Sequence, residues 1–413
     1  MSGRMMPARS NGFFTVRRLR AHGTVLALCL WSVYLWNMAA PGLRDRAGNL
    51  KGTDFLHFYT LGSLALTHRG ADLYNMQAQS ELAAQRVPAA AGIRYLPLYP
   101  PQVSIFFAPF THFSYPNALA LWLVLSALIY ALCCCAVWRV CAELRNHKFT
   151  VVILALALAF PAFWHLIAWG QTSALALACF TLAFLALRAQ HNFLAGLALG
   201  CLIFKPQLGL AAAIIFLLTL RWRVIAGAIL SASAQLIAAW LYYGPGPLRE
   251  WTRMLLNVPR VLPLLEPKIY QTHSLRTFWT LLISWPQLSS ILYLSSALMV
   301  VALAVACWRS RISLPLRFSA LLLATVLLAP HLTVYDLVIL APAFLLLSDS
   351  LMTQPANSDA ASLKTLLYLA YALPLLGPLA QWTHLQLSVP VMAALLYGIW
   401  RLGRTPISVM PFT

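Results

Sequence analysis

Apolar runs of roughly 15–22 residues follow one another along almost the whole chain, as in "TVLALCLWSVYLW", "ALALWLVLSALIYALCCCAVW" and "SSILYLSSALMVVALAVACW". A bilayer core needs about 20 apolar residues per crossing helix, and only helices or closed barrels satisfy their backbone groups there. The runs therefore predict an all-α polytopic membrane protein. Charged residues make up 9% of the chain, against about 25% in a soluble domain. The net charge of +19 does not point to nucleic acid. Lys and Arg gather in short connections, where they set topology and meet anionic headgroups.

Positive-inside reasoning orders the runs. An arginine-rich arm, residues 1–20, stays in the cytoplasm and precedes one integral domain, 21–404, with a cytoplasmic tail at 405–413. No small-residue cleavage site follows the first run, so it reads as a retained helix. The expected helices lie near 21–40, 117–138, 149–167, 172–188, 193–205, 208–220, 224–243, 287–307, 317–330, 334–348, 364–380 and 386–401, about twelve in all. Two long outer segments, 41–98 and 244–286, interrupt them. The first holds stretches suited to short interfacial helices, and Pro100–Pro101 marks a broken or re-entrant element just after it. Connections placed inside read "WRVCAELRNHK", "RAQHN", "RWR", "WRSRISLPLR" and "RLGR". Those placed outside read "WGQTS", "FKPQ", "HLTVYD" and "QWTHLQ". The cysteines lie in or beside apolar runs or in a basic loop, with no C-x-x-C pair, so neither a disulfide framework nor a metal site is expected.

This topology brings Asp54, His57, Gln171, Lys205, His273, His331, Tyr335 and Asp336 to one face. Ionisable groups at helix ends need a partner, a cavity or a role. Of the ten acidic residues, three fall inside. Asp45, Asp72, Glu81, Glu250 and Glu266 lie in long segments where solvation explains them. Asp54 and Asp336 alone sit beside apolar helices. Asp336 reads as structural, paired with a neighbouring His or Arg. Asp54, flanked by Phe55, His57 and Tyr59, is placed for a half-desolvated pocket that raises its basicity.

In order and spacing, "TDFLHFYTLGSLAL", "YPPQVSIFFAPF", "WGQTSALALA", "GCLIFKPQLGL" and "PHLTVYDLVIL" resemble glycosyltransferase family 87, integral membrane enzymes of the GT-C superfamily. The resemblance covers roughly residues 20–400. It implies transfer of a hexose, typically mannose, from a polyprenyl-phosphate donor to a lipid or glycan acceptor on the outer face of the plasma membrane. It also implies Asp54 as the base on the first outer segment, with Gly170–Gln171, Lys205–Pro206 and His331 at family positions. Here His331 stands in "APHLTVYD", where related chains carry a Trp- and His-rich stretch.

Residue chemistry fits that reaction. Asp54 can take the acceptor proton, giving inversion in one displacement. Lys205 and Arg276 can neutralise the departing phosphate. His57, Tyr59, Gln171, His331 and Tyr335 can hold hydroxyls. Without G-x-G-x-x-G or a P-loop, the donor arrives through the lipid, and no cofactor is expected. A transporter or flippase of lipid-linked sugars would use intramembrane charges and repeated halves, and no repeat is visible. A scaffold would not explain polar connections on one side only.

Overall fold

A computed structural model of the chain describes residues 15–147, 149–266, 268–354 and 358–404. Most of the arm expected at 1–20 and the tail expected at 405–413 lie outside the described residues. The described residues are helical, with two isolated bridges, Arg44 with Leu50 and Thr272 with Thr333, in place of any strand.

Each apolar run forms helix, but Pro and Gly cut several runs short. Among the described residues five helices are long and apolar enough to cross a membrane: Tyr115–Trp138, Trp222–Tyr243, Pro286–Arg309, Val334–Met352 and Asp359–Thr383. A sixth crossing counts if Thr150–Leu158 and Pro161–Trp169, bent by 45° at Ala159–Phe160, form one span. That is fewer than the dozen expected. The first helix, Val16–Met38, has 23 residues but keeps Arg17, Arg18, Arg20 and His22 in its opening turns and is not among them. Five further apolar helices have only 10–17 residues, as happens where helix ends surround a polar cavity.

Helix Leu314–Leu328 is buried along nearly its whole length, as its predominantly apolar sequence favours. Around it pack Pro206–Leu218, Pro286–Arg309, Ala341–Met352 and Ser388–Leu402. Two connections expected inside are tied to other parts of the chain with which they should share a side. The Leu144 amide donates to Asp349 at 2.9 Å, and Arg309 donates to the Leu218 carbonyl at 2.8 Å.

The first outer segment differs from the expected interfacial helix. Residues 55–65 of helix Thr53–Leu66 are all buried. They pack against Gln102–Phe107 and the turn Ala108–His112, which form the broken element that Pro100–Pro101 announces. An aromatic cluster of Phe55, Phe58, Tyr59, Phe107, Tyr115 and Trp122 encloses it. Helix Pro245–Leu265 crosses the second outer segment, and Trp251 ties it to the first by donating to the Leu98 carbonyl at 3.1 Å.

Candidate active site

Polar residues from both outer segments and three short connections line one cavity of about 740 Å³, within the range of small-molecule sites, roughly 300–1,000 Å³. Asp54 stands in the first turn of Thr53–Leu66, where the unpaired N–H end of a helix favours a carboxylate. That end is fixed in place. The Tyr115 hydroxyl donates to the Lys51 and Gly52 carbonyls at 2.7 and 2.9 Å, and Tyr95 donates to the Thr53 carbonyl.

Gln171 Nε2 donates to Asp54 Oδ2 at 2.7 Å. Its Oε1 accepts from the Thr172 amide at 3.2 Å and from the Lys205 ammonium at 3.5 Å. Two donors on the amide oxygen leave the amide nitrogen to face Asp54. Gly170 makes this contact possible. It closes helix Pro161–Trp169 with φ of 70°, a left-handed conformation open to glycine. A Cβ there would come within 2.8 Å of Phe55 Cβ, so the Gln171 turn and the Asp54 helix meet backbone to side chain.

Burial pushes the Asp54 carboxyl up to about 6, against the opposing bond from Gln171 and the charge of Lys205. Desolvation of the charged form is the cause. The carboxyl therefore ionises just below neutrality. His57 stacks on Tyr95 with ring centres 4.8 Å apart. Burial lowers it to about 3, so it is neutral, and its Nε2 has no hydrogen-bond partner.

Lys205 is almost fully buried. It donates to Asp336 Oδ1 at 2.8 Å and Ser173 Oγ at 3.0 Å, and its ammonium lies 5.1 Å from the Tyr335 ring centre. Ser173 Oγ donates to the same Asp336 oxygen at 2.5 Å, and the other oxygen takes the Thr333 amide and hydroxyl, each at 3.3 Å. Asp336 thus has Lys205 as its partner, not the His or Arg expected. Lys205 lines the cavity, but its charge is balanced.

Glu266 corrects the reading of it as a solvated loop residue. It is buried, bonded by Arg276 and 2.7 Å from His331 Nδ1. Burial works against its charge, but His331 and Arg276 outweigh it and hold the carboxyl below the usual range. Arg276 also donates to the Pro330 carbonyl. It reaches the cavity through Glu266 and is not among the lining residues. Tyr59 is also absent from the lining. Its hydroxyl donates to the Phe113 carbonyl at 2.9 Å, inside the aromatic cluster.

Asp54, His57, Gln171, Lys205, His331 and Tyr335 therefore share the cavity, while Tyr59 and Arg276 stand apart. Sequence reasoning missed Arg94, Tyr95, Tyr99 and Lys268, which also line it. "RYLPLYPP" signals that stretch only by its aromatics and prolines. Among the described residues no three His, Cys, Asp or Glu side chains converge as a metal site would need.

The site is thus a carboxylate at a helix end, lining a polar cavity in a chain of apolar helices. The chain belongs to glycosyltransferase family 87, whose model matches residues 98–334. The match takes in Gln171, Lys205, His331 and the Glu266–Arg276 pair, and Asp54 lies ahead of it. No curated protein and no solved structure matches the chain.

Proposed function

We propose that this glycosyltransferase moves a hexose, with mannose the first candidate, from a polyprenyl-phosphate donor to a lipid or glycan acceptor on the outer face of the plasma membrane. In the reaction the acceptor oxygen attacks the anomeric carbon, and the bond from that carbon to the phosphate oxygen breaks. Asp54 takes the acceptor proton, and polyprenyl phosphate leaves with the bonding electrons. One displacement inverts the anomeric centre.

The observation that carries this reading is the Asp54–Gln171 contact inside the cavity. One carboxylate oxygen is held by the amide, and desolvation keeps the group basic near neutral pH. Lys205 and Asp336 hold Gln171 and Ser173 in position. His57, Gln171, His331 and Tyr335 offer polar groups to a sugar. Val33, Tyr34, Met38, Trp164, Ala168 and Trp169 also line the cavity. Their largely apolar surface suits an isoprenoid chain.

The test uses purified protein, radiolabelled polyprenyl-phosphate hexoses and membrane lipid extracts. Labelled product that depends on the Asp54 carboxylate supports the reading. Absence of transfer from every such donor rejects it.

A further inference from the structure

The bases of the cavity differ in how much of their charge is free. Lys205 is paired with Asp336. The Lys51 ammonium is held by the Ala40 and Gly42 carbonyls at 2.6 and 2.9 Å. Arg94 and Lys268, both exposed, line the same cavity, with no ion pair or hydrogen bond from either side chain among the described residues. A phosphate that leaves the anomeric carbon near Asp54 needs positive charge that is not already balanced.

Both residues are carried by segments fixed to the site. Arg94 precedes Tyr95, which donates to the Thr53 carbonyl, next to Asp54, and stacks on His57. Lys268 lies between Glu266 and Gln271. That stretch is tied to the His331 connection by Glu266 itself and by the His273 amide, which donates to the Leu332 carbonyl at 3.1 Å. One free cation thus comes from each outer segment.

We propose that Arg94 and Lys268 form the subsite for a lipid phosphate, with the buried Lys205–Asp336 pair a positioning element and not the phosphate clamp. The assignment rests on the glycosyl-transfer reading. Two sources share this chemistry, the donor phosphate and an anionic acceptor headgroup.

The test is direct binding to the purified full chain in detergent, read by fluorescence of the tryptophans, since Trp164 and Trp169 line the cavity. The probes are a long-chain polyprenyl phosphate, the matching phosphate-free polyprenol, and phosphatidylglycerol. Arg94→Gln and Lys268→Gln should each weaken polyprenyl-phosphate binding on the order of tenfold, the usual worth of one charge-assisted hydrogen bond. The double variant should lose more, with polyprenol binding unchanged. Arg94→Lys and Lys268→Arg should restore part of the affinity. Arg253→Gln, which removes an exposed charge outside the lining, should bind like wild type.

Loss confined to polyprenyl phosphate assigns the subsite to the donor. Loss confined to phosphatidylglycerol assigns it to the acceptor. Unchanged phosphate-lipid binding in the double variant overturns the proposal, and so does an equal loss of polyprenol binding, which would mean the side chains act by packing. If wild type binds the phosphate lipids and the double variant binds both of them equally well, only this assignment falls. If wild type binds neither phosphate lipid, the glycosyl-transfer reading falls with it.

Discussion

Gln171 reaches Asp54 from 117 positions along the chain and donates a 2.7 Å hydrogen bond to its carboxylate. The contact joins the first outer segment to the turn after helix Pro161–Trp169. It occupies Oδ2, one of the two carboxylate oxygens.

Asp54→Asn keeps the side chain's shape and removes its basicity. Transfer should fall by roughly 10²–10⁴, while binding of polyprenyl phosphate persists. The raised carboxyl makes the ionised form costly to the folded state, so the variant should also be more stable at neutral pH. A folded pKa above the unfolded one gives a cost that is complete above about 6 and fades as pH falls toward the ordinary carboxylate range. Thermal unfolding of the two proteins between pH 4 and 8, a span set by those two pKa values, checks the sign. A variant less stable than wild type at pH 7 would contradict it.

The rate should follow the ionisation of Asp54, rising with pH through about 6 and levelling above. Gln171→Ala removes a hydrogen bond to the charged form, so the acid limb should move to higher pH. A pH–rate series on both proteins measures the displacement. An unmoved limb would detach Gln171 from the base.

Lys205 and Asp336 are 4% and 2% exposed. Removing one partner leaves a buried charge, which costs about 3–5 kcal/mol. Lys205→Met and Asp336→Leu should therefore each reduce folded yield sharply, and the double variant should recover part of it. Chaotrope or thermal unfolding in detergent gives the cycle. Purely additive losses would mean the two residues act independently.

The basic connections and the cavity should lie on opposite sides of the membrane. In a cysteine-free background, a cysteine at Thr383 or His384 should react with an impermeant thiol reagent in intact cells. Cysteines at Arg223 and Arg311 should react only after permeabilisation. The reverse pattern would invert the orientation and place the cavity inside.

The sequence made the helices and much of the cavity legible, because apolar run length and basic-loop bias are local signals. Asp54, His57, Gln171, Lys205, His331 and Tyr335 stood out because polar residues at apolar helix ends need an explanation. Tyr59 is near Asp54 in sequence but faces elsewhere. Five residues of helix turn it about 140° from Asp54, into the aromatic cluster. The partner of Asp336 lies 131 residues away, and no local pattern encodes such a pairing. Glu266 looked solvated because its segment is long and mixed, and only the folded chain brings Arg276 and His331 onto it. Arg94 and Lys268 sit in irregular stretches, where periodicity says nothing about which way a side chain faces.

Gly170 carries a consequence for how this site can vary. A built Cβ at that position would sit 2.8 Å from Phe55 Cβ, closer than carbon atoms rest, so the gap between the base and its amide is gauged by a missing methyl. Gly170→Ala would act as a shim, driving the Asp54 helix and the Gln171 turn apart without altering any polar group. Position 170 therefore resists a side chain on two counts, the left-handed backbone and the approach of Phe55, and neither depends on the sugar or its acceptor.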